Sequence, residues 1–244
     1  MTYCCGILVK EGLVMIADTR TNAGLDNIST FRKLNIFESR GQYVMMLASA
    51  GNLSFTQNVV SLVTEGIENP ENQETERLVT MPSMFEAAHL VGRAIRKVRE
   101  IDGGAFQEAN ISFLLGGQIA GRRLRLFMIY SAGNFIECTP DAPFLQIGEH
   151  KYGKPILDRA VKYDTELYDA LKIGLISMDS TMRSNLGVGL PIDIGVLRRD
   201  AQALEVNTRI DIGDIYFHDL RDRWSTALKQ AHLAIPRPPY GPKV

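Results

Sequence analysis

The residue best placed to do chemistry in this sequence is a threonine directly behind the first methionine. Removal of Met1 would leave Thr2 with a free α-amine, and threonine is a small residue of the kind that methionine aminopeptidase tolerates at that position. An ordinary threonine hydroxyl is a weak nucleophile. An N-terminal one has its own base within reach, because an α-amine titrates near a pKa of about 7.7–8.0. No histidine is then required. Such a nucleophile gains from a cation that favours the alkoxide and keeps the amine neutral, and from a carboxylate that holds the cation. Asp18, ending the second predicted strand, and Lys33, opening the third, supply one of each. The plain alternative is that Thr2 is an ordinary second residue, Asp18 a turn residue and Lys33 a solvated strand start.

Other chemistries are less well served. His89, His150, His218 and His232 are scattered, no pair has helical i, i+4 spacing around a glutamate, and there is no CxxC, so no metal site is expected. The GxSxG of a nucleophile elbow is missing. Gly148-Glu149-His150-Lys151-Tyr152-Gly153-Lys154 matches GxxxxGK, but Pro155 stands where a phosphate-binding loop needs a hydroxyl for magnesium. Proline at the first position of a helix explains the segment without phosphate, and no cofactor is expected.

The elements that would position these residues follow from periodicity. Residues 4–9, 13–17, 33–37 and 43–47 alternate or run apolar as four strands, the first two forming a hairpin, with a polar loop over residues 18–29. Leu53, Val59, Val60 and Val63 suit a helix capped by Asn52, and Phe85, Ala88, Val91, Ile95 and Val98 a second, with a polar linker at 68–76 between them. Strands are expected again at 111–115, 124–129, 135–138 and 144–147. Helices follow at 155–161 and from an Asp164 or Thr165 cap through Leu167, Leu171, Leu175 and Met178. Strands at 192–197, 203–210 and 212–217 complete the pattern. Strands and helices grouped in this way favour an α+β layered fold over a doubly wound sheet. One domain is expected over residues 1–235, with an extended proline-rich tail at 236–244.

Composition limits the partners. The 244 residues carry 27 basic and 28 acidic side chains, a net charge of −1, so no concentrated positive field points to nucleic acid or an anionic membrane. No apolar run approaches the roughly 18–20 residues of a membrane span, and the N-terminus lacks the pattern of a signal peptide. A cytoplasmic protein with reduced thiols at Cys4, Cys5 and Cys138 is expected.

Several of these segments resemble the proteasome β-subunit family: Thr2 opening a strand, Ala17-Asp18-Thr19-Arg20, Lys33 after a polar loop, and Ser49-Ala50-Gly51-Asn52 before a helix. Residues 18–24, 26–33 and 148–159 are closest to its bacterial offshoot Anbu, the ancestral β-subunit. The resemblance implies an N-terminal nucleophile (Ntn) hydrolase fold, a four-layer αββα sandwich of two antiparallel sheets. It also implies a threonine-type peptide or amide hydrolase, active after loss of Met1. Thr2 would be nucleophile and base, Lys33 would lower the hydroxyl pKa, and Asp18 would orient Lys33. Gly51 would lie in the element whose backbone N–H faces the scissile carbonyl, and Arg20 matches the arginine after the family's aspartate. Asn22, Met45 and Ser49 would bound the pocket.

The departures lie in the supporting shell. Where the family has a serine-containing glycine loop and a later aspartate-serine pair, this chain reads Gly148-Glu149-His150 and Met182-Arg183-Ser184-Asn185-Leu186-Gly187, with Ser180 or Ser184 as candidate substitutes. An active enzyme acting on a peptide or small amide therefore stands beside a second reading, a scaffold that binds such a molecule without turnover. Self-assembly into a homo-oligomeric ring or open spiral is implied by the family alone, and no docking motif for an ATPase partner is found.

Overall fold

Apolar residues on both faces of the first two strands mark them as interior, and the fold is organised around them. The protein is described by a computed structural model that covers residues 1–22, 28–69, 72–101 and 110–240. In its first half, β1 (Tyr3–Leu8) and β2 (Gly12–Asp18) form the expected hairpin, followed by a ribbon of β3 (Arg20–Asn22) and β4 (Ile28–Thr30). Then come β5 (Leu34–Ser39), β6 (Tyr43–Ala50), α1 (Leu53–Glu65), the short pair β7 (Ile67–Glu68) and β8 (Thr75–Glu76), and α2 (Met84–Ile101). The second half contains β9 (Ser112–Ile119), β10 (Arg125–Tyr130), β11 (Phe135–Glu137), β12 (Phe144–Gly148), α3 (Lys154–Ala160), α4 (Leu167–Ser184), β13 (Ile192–Arg198), β14 (Val206–Ile210) and α5 (Ile215–Ala234).

Two five-stranded antiparallel sheets result, in the orders β12-β1-β2-β13-β14 and β11-β10-β9-β6-β5. Cys4, Leu13, Met15 and Ala17 of the first sheet meet Val44, Met46, Ala48, Leu114 and Leu126 of the second in one buried cluster. Alternate residues of the second sheet, among them Met45, Leu47, Phe113 and Phe127, pack instead under Phe55, Val59 and Val63 of α1 and the apolar stripe of α2. On the opposite side α4 lies on β1 and β2. Its Gly174 comes so close to Ile16 and Ile7 that a Cβ there would stand 2.6 Å from the Ile16 Cδ1. These are the four αββα layers. Among the described residues no helix is long and apolar enough to cross a membrane.

Contacts divide the chain into two compact units, Met1–Ile212 and Gly213–Val244. The second corrects the sequence reading. The expected strand at 212–217 is the start of α5, because the Asp214 side chain accepts the Phe217 N–H and caps a 20-residue helix. Pro236–Tyr240 carry neither helix nor strand. Smaller corrections are local. The α4 cap is Glu166, which accepts the Asp169 N–H, whereas Thr165 accepts from Lys162. The linker at 68–76 carries the β7–β8 pair, and the polar loop at 18–29 carries β3 and β4 around residues 23–27, which lie outside the described ones.

Phe127 tests the layer between the second sheet and its helices, since it is fully buried there. Phe127→Ala is expected to cost about 3–5 kcal/mol, read as a lower midpoint in urea unfolding with the slope unchanged.

Candidate active site

Strand register sets the position of Thr2. Tyr3 pairs with Gly148 of β12 on one side of β1, and Cys4 pairs with Ala17 of β2 on the other, so Thr2 stands at the end of a central strand. Its carbonyl accepts the Glu149 N–H at 2.7 Å. Gly148 makes this approach possible, because it has φ +79° and a Cβ there would sit 2.0 Å from the Thr2 carbonyl oxygen. On the other side the Tyr3 N–H donates to Asp18 Oδ1 at 3.0 Å. The Tyr3 side chain is anchored behind the strand, its hydroxyl bonded to Ser177 and to Gln146. Thr2 itself is 8% exposed.

The expected ion pair forms. Lys33 Nζ, immediately before β5, donates to Asp18 Oδ1 at 2.9 Å and to the Arg20 carbonyl at 2.6 Å, with Lys33 5% exposed and Asp18 fully buried. The Lys33 carbonyl accepts the Ser49 N–H at 3.0 Å, which ties it to β6. An ammonium has three N–H donors, and these bonds use two of them, leaving one for the cavity that Lys33 lines with Thr2. Burial pushes the Asp18 carboxyl above its ordinary 3.8. Lys33, the Tyr3 N–H and, more weakly, the Gly189 backbone oppose that rise. Among the described residues Asp18 Oδ2 has no partner in hydrogen-bond geometry, which leaves the carboxylate under-solvated for its charge.

Thr2, Lys33, Ser49 and Gly51 all line one cavity of about 1630 Å³, together with Met1 and the loop after β12. Ser49 is nearly buried at the end of β6. Gly51, at φ +118°, turns the chain so tightly that a Cβ would stand 2.5 Å from the Asn110 carbonyl oxygen. The remaining candidates lie elsewhere. Arg20 donates to the Leu186 carbonyl at 3.0 Å, stacks its guanidinium on Gly189 and does not line the cavity. Met45 is in the core beneath α1 and α2. Ser180 donates back to the Ile176 carbonyl within α4, Ser184 is exposed, and neither lines the cavity. The side chain of Asn22 lies outside the described ones.

Cys4 and Cys5 follow Thr2 directly, so their chemistry matters. Burial pushes the Cys5 thiol up to about 12 and the Cys4 thiol well above its usual range, with Asp18 adding to the rise at Cys4. Both stay protonated at neutral pH and are poor nucleophiles. Among the described residues no group of three or more His, Cys, Asp or Glu side chains could hold a metal ion. The GxxxxGK loop is closed from behind: the Gly153 carbonyl accepts from Ser177, and Lys154 pairs with Asp158 at 2.6 Å.

Two residues at the site carry no sequence signal. Glu149 lines the cavity at 8% exposure, and its Oε2 accepts from Asn185 Nδ2 at 3.1 Å. They lie 36 positions apart, in the two segments where the chain departs from the proteasome pattern, and only folding brings them together.

Comparison with known proteins agrees with this architecture. Residues 2–197 match the family described as proteasome subunit. Among curated proteins there is no match. Among solved structures, a Gly-1 mutant of Anbu from Hyphomicrobium sp. strain MC1 is 50% identical with a TM-score of 0.90, over 97% of this chain and 99% of that one. Anbu (ancestral beta-subunit) from Yersinia bercovieri is 46% identical at TM-score 0.90, over 98% and 100% of the two chains. A third, described as the helical assembly of the Anbu complex from Pseudomonas aeruginosa, is 42% identical at TM-score 0.90, over 99% and 100%. On this match and these identities the chain belongs to the proteasome subunit family and, within it, to the Anbu ancestral β-subunits.

Proposed function

We propose that this chain is a threonine-type N-terminal nucleophile hydrolase, acting on a peptide or small amide once Met1 is removed. The observation that carries the reading is the Lys33 ammonium, buried beside Asp18 with two donors committed and lining the same cavity as Thr2. A buried cation at that position favours the alkoxide over the hydroxyl. The Thr2 hydroxyl attacks the substrate carbonyl while its own amine takes the proton, and a tetrahedral oxyanion forms. The Gly51 N–H stabilises that oxyanion, a contribution worth about 2.7–4 kcal/mol in such sites. Collapse passes that proton from the Thr2 ammonium to the leaving nitrogen, releases the amine product and leaves an acyl-threonine ester, which water then hydrolyses with the freed amine again as base. With Met1 attached the α-amine is an amide nitrogen and supplies no base, so this form is inactive.

The test compares Met1-free wild type, verified by mass spectrometry, with Thr2→Ala across peptide and γ-glutamyl amide substrates. Turnover is expected to fall by about 10³-fold or more. Wild-type turnover equal to that of Thr2→Ala would leave the scaffold reading, in which the same cavity binds its ligand without cleaving it.

Homo-oligomerisation into a ring or open spiral belongs to this reading, supported by the helical assembly of the Pseudomonas aeruginosa relative. Sedimentation velocity is expected to show species much larger than the 27.2 kDa chain. A single monomer boundary at micromolar concentration would count against it.

Asp18 and Lys33 are expected to separate stability from activity. Asp18→Ala leaves a buried ammonium without its counter-charge and should cost about 3–5 kcal/mol. Lys33→Met should cost less, because the raised pKa of Asp18 lets it take up a proton when its partner is gone. Both should abolish turnover. The pH dependence has a definite sign. Folding makes Asp18 bind its proton more tightly than in the unfolded chain, so its titration favours the folded state below 3.8, and this advantage is lost as pH rises through the raised value. Catalysis needs the opposite form. On lowering pH, log(kcat/KM) should first fall with a slope of one as the Thr2 amine protonates. It should steepen towards two at a pH above 3.8 as Asp18 follows, and Asp18→Asn, which keeps that position neutral at every pH, should show no turnover at any pH.

A further inference from the structure

Glu149 reaches Thr2 by two routes. Its backbone N–H holds the Thr2 carbonyl, and its nearly buried side chain shares the cavity wall with Thr2 and Met1. Asn185, at the end of α4, fixes that carboxylate by donating from Nδ2, and its own Oδ1 accepts the Gly187 N–H at 2.9 Å. Gly187 in turn abuts Met1: a Cβ on Gly187 would lie 2.7 Å from the Met1 Cβ. Met1, Gly187, Asn185, Glu149 and Thr2 therefore form a closed ring of contacts that includes the Met1–Thr2 peptide bond.

Cleavage of that bond removes Met1 and leaves an ammonium on Thr2, at the cavity wall that Glu149 shares. We propose that Glu149, held by Asn185, is the positioning residue for the Thr2 α-amine, accepting one of its N–H bonds so that the nitrogen lone pair is directed at the hydroxyl when the amine is neutral. This rests on the N-terminal nucleophile reading above. The pair occupies the two segments where the proteasome pattern is lost, while Ser180 and Ser184 stay outside the cavity.

The charges around the amine give the proposal a sign. Lys33 and Asp18 face it from the β5 and β2 side, already paired with each other. Glu149, His150 and Lys151 come from the loop after β12. Lys151 Nζ is 3.6 Å from Glu149 Oε1, but its side chain is 71% exposed and screens the carboxylate weakly. Arg20 is held on the Leu186 carbonyl. Asp141, Lys154 and Asp158 also line the cavity, the last two paired. Among the described residues the Glu149 carboxylate is thus paired only with this exposed cation, and at the amine it would favour the charged ammonium.

The measurement is the pKa of the Thr2 α-amine in Met1-free protein, read from the pH dependence of its acylation by acetic anhydride through mass spectrometry of the N-terminal peptide. It needs no turnover. Glu149→Gln keeps the backbone bond to Thr2 and an oxygen for Asn185, and should lower the amine pKa by about one unit. Glu149→Asp, which retains the charge, should keep at least half of that difference. Where turnover is measurable, the ascending limb of kcat/KM should move to lower pH in Glu149→Gln, with kcat reduced and KM little changed. An amine pKa in Glu149→Gln within about 0.2 units of wild type, against the shift of at least one unit that a carboxylate in contact would give, overturns the proposal. A shifted amine in a protein without turnover would sustain the docking and sink only the hydrolase reading.

Discussion

A lysine ammonium and an aspartate carboxylate have both been withdrawn from water beside Thr2, and the geometry of the site depends on how that cost is met. Desolvation costs several kcal/mol per ion, and mutual attraction offsets it only when further hydrogen bonds complete the shell. Here Asp18 Oδ1 accepts both Lys33 Nζ and the Tyr3 N–H, while Lys33 also reaches the Arg20 carbonyl. One carboxylate oxygen therefore links the lysine to the backbone adjoining Thr2. The other oxygen has, among the described residues, no partner in hydrogen-bond geometry and only the weak help of the Gly189 backbone, and burial outweighs the lysine in setting where Asp18 titrates. The pair holds position more than it adds stability.

That pair is assembled from three strand ends. Asp18 closes β2, Lys33 precedes β5, and Tyr3 opens β1 between β2 and β12. Because β5 is in one sheet and β1 and β2 are in the other, Lys33 reaches Asp18 across the sandwich, and the stacking of the sheets sets the ion-pair distance. The intersheet cluster of Met15, Ala17, Met46 and Ala48 adjoins Asp18 and Lys33 through Ala17 and Leu34, so core packing and the geometry of the ion pair are one mechanical problem. A Cβ on Gly116 of β9 would stand 2.6 Å from Leu13 Cδ2 of β2, so added volume in this layer would part the sheets that carry Lys33 and Asp18.

Much of this was legible in the sequence, for physical reasons. Period-two alternation around Cys4–Val9 and Leu13–Ala17 and the long apolar stripe of α2 report burial directly, and the structure has those elements where the periods place them. Thr2, Asp18 and Lys33 were legible because each sits at a strand end, where one-dimensional spacing still constrains position in space. The reading failed where local and distant information diverge. Ile212–Phe217 alternates weakly enough to pass for a strand, and the Asp214 cap that makes it a helix is a single side-chain bond. Met45 was expected at the pocket, but strand alternation turns it to the opposite face of β6, into the core under α1 and α2. Glu149 and Asn185 come from segments separated by two helices, and nothing in their spacing predicts contact.

The same distance in sequence gives the Glu149–Asn185 contact its structural consequence. Asn185 ends α4, and α4 is seated by the approach of Gly174 to Ile16 and Ile7 on the outer face of β2 and β1. Glu149 follows Gly148, whose positive φ lets the loop close on the Thr2 carbonyl. The side of Thr2 away from Lys33 is therefore built by the outer helical layer, just as the Lys33 side is built by the intersheet layer. Thr2 stands where these two layers meet. Its backbone is clamped from both, by Glu149 at residue 2 and by Asp18 at residue 3, and this limits its freedom before any substrate arrives. Preorganisation of this kind lowers a barrier by removing motion rather than by adding contacts. In the proposed function one carboxylate and one amide stand in for the family's serine loop and aspartate-serine pair, because the helix end and the glycine loop set where their side chains reach.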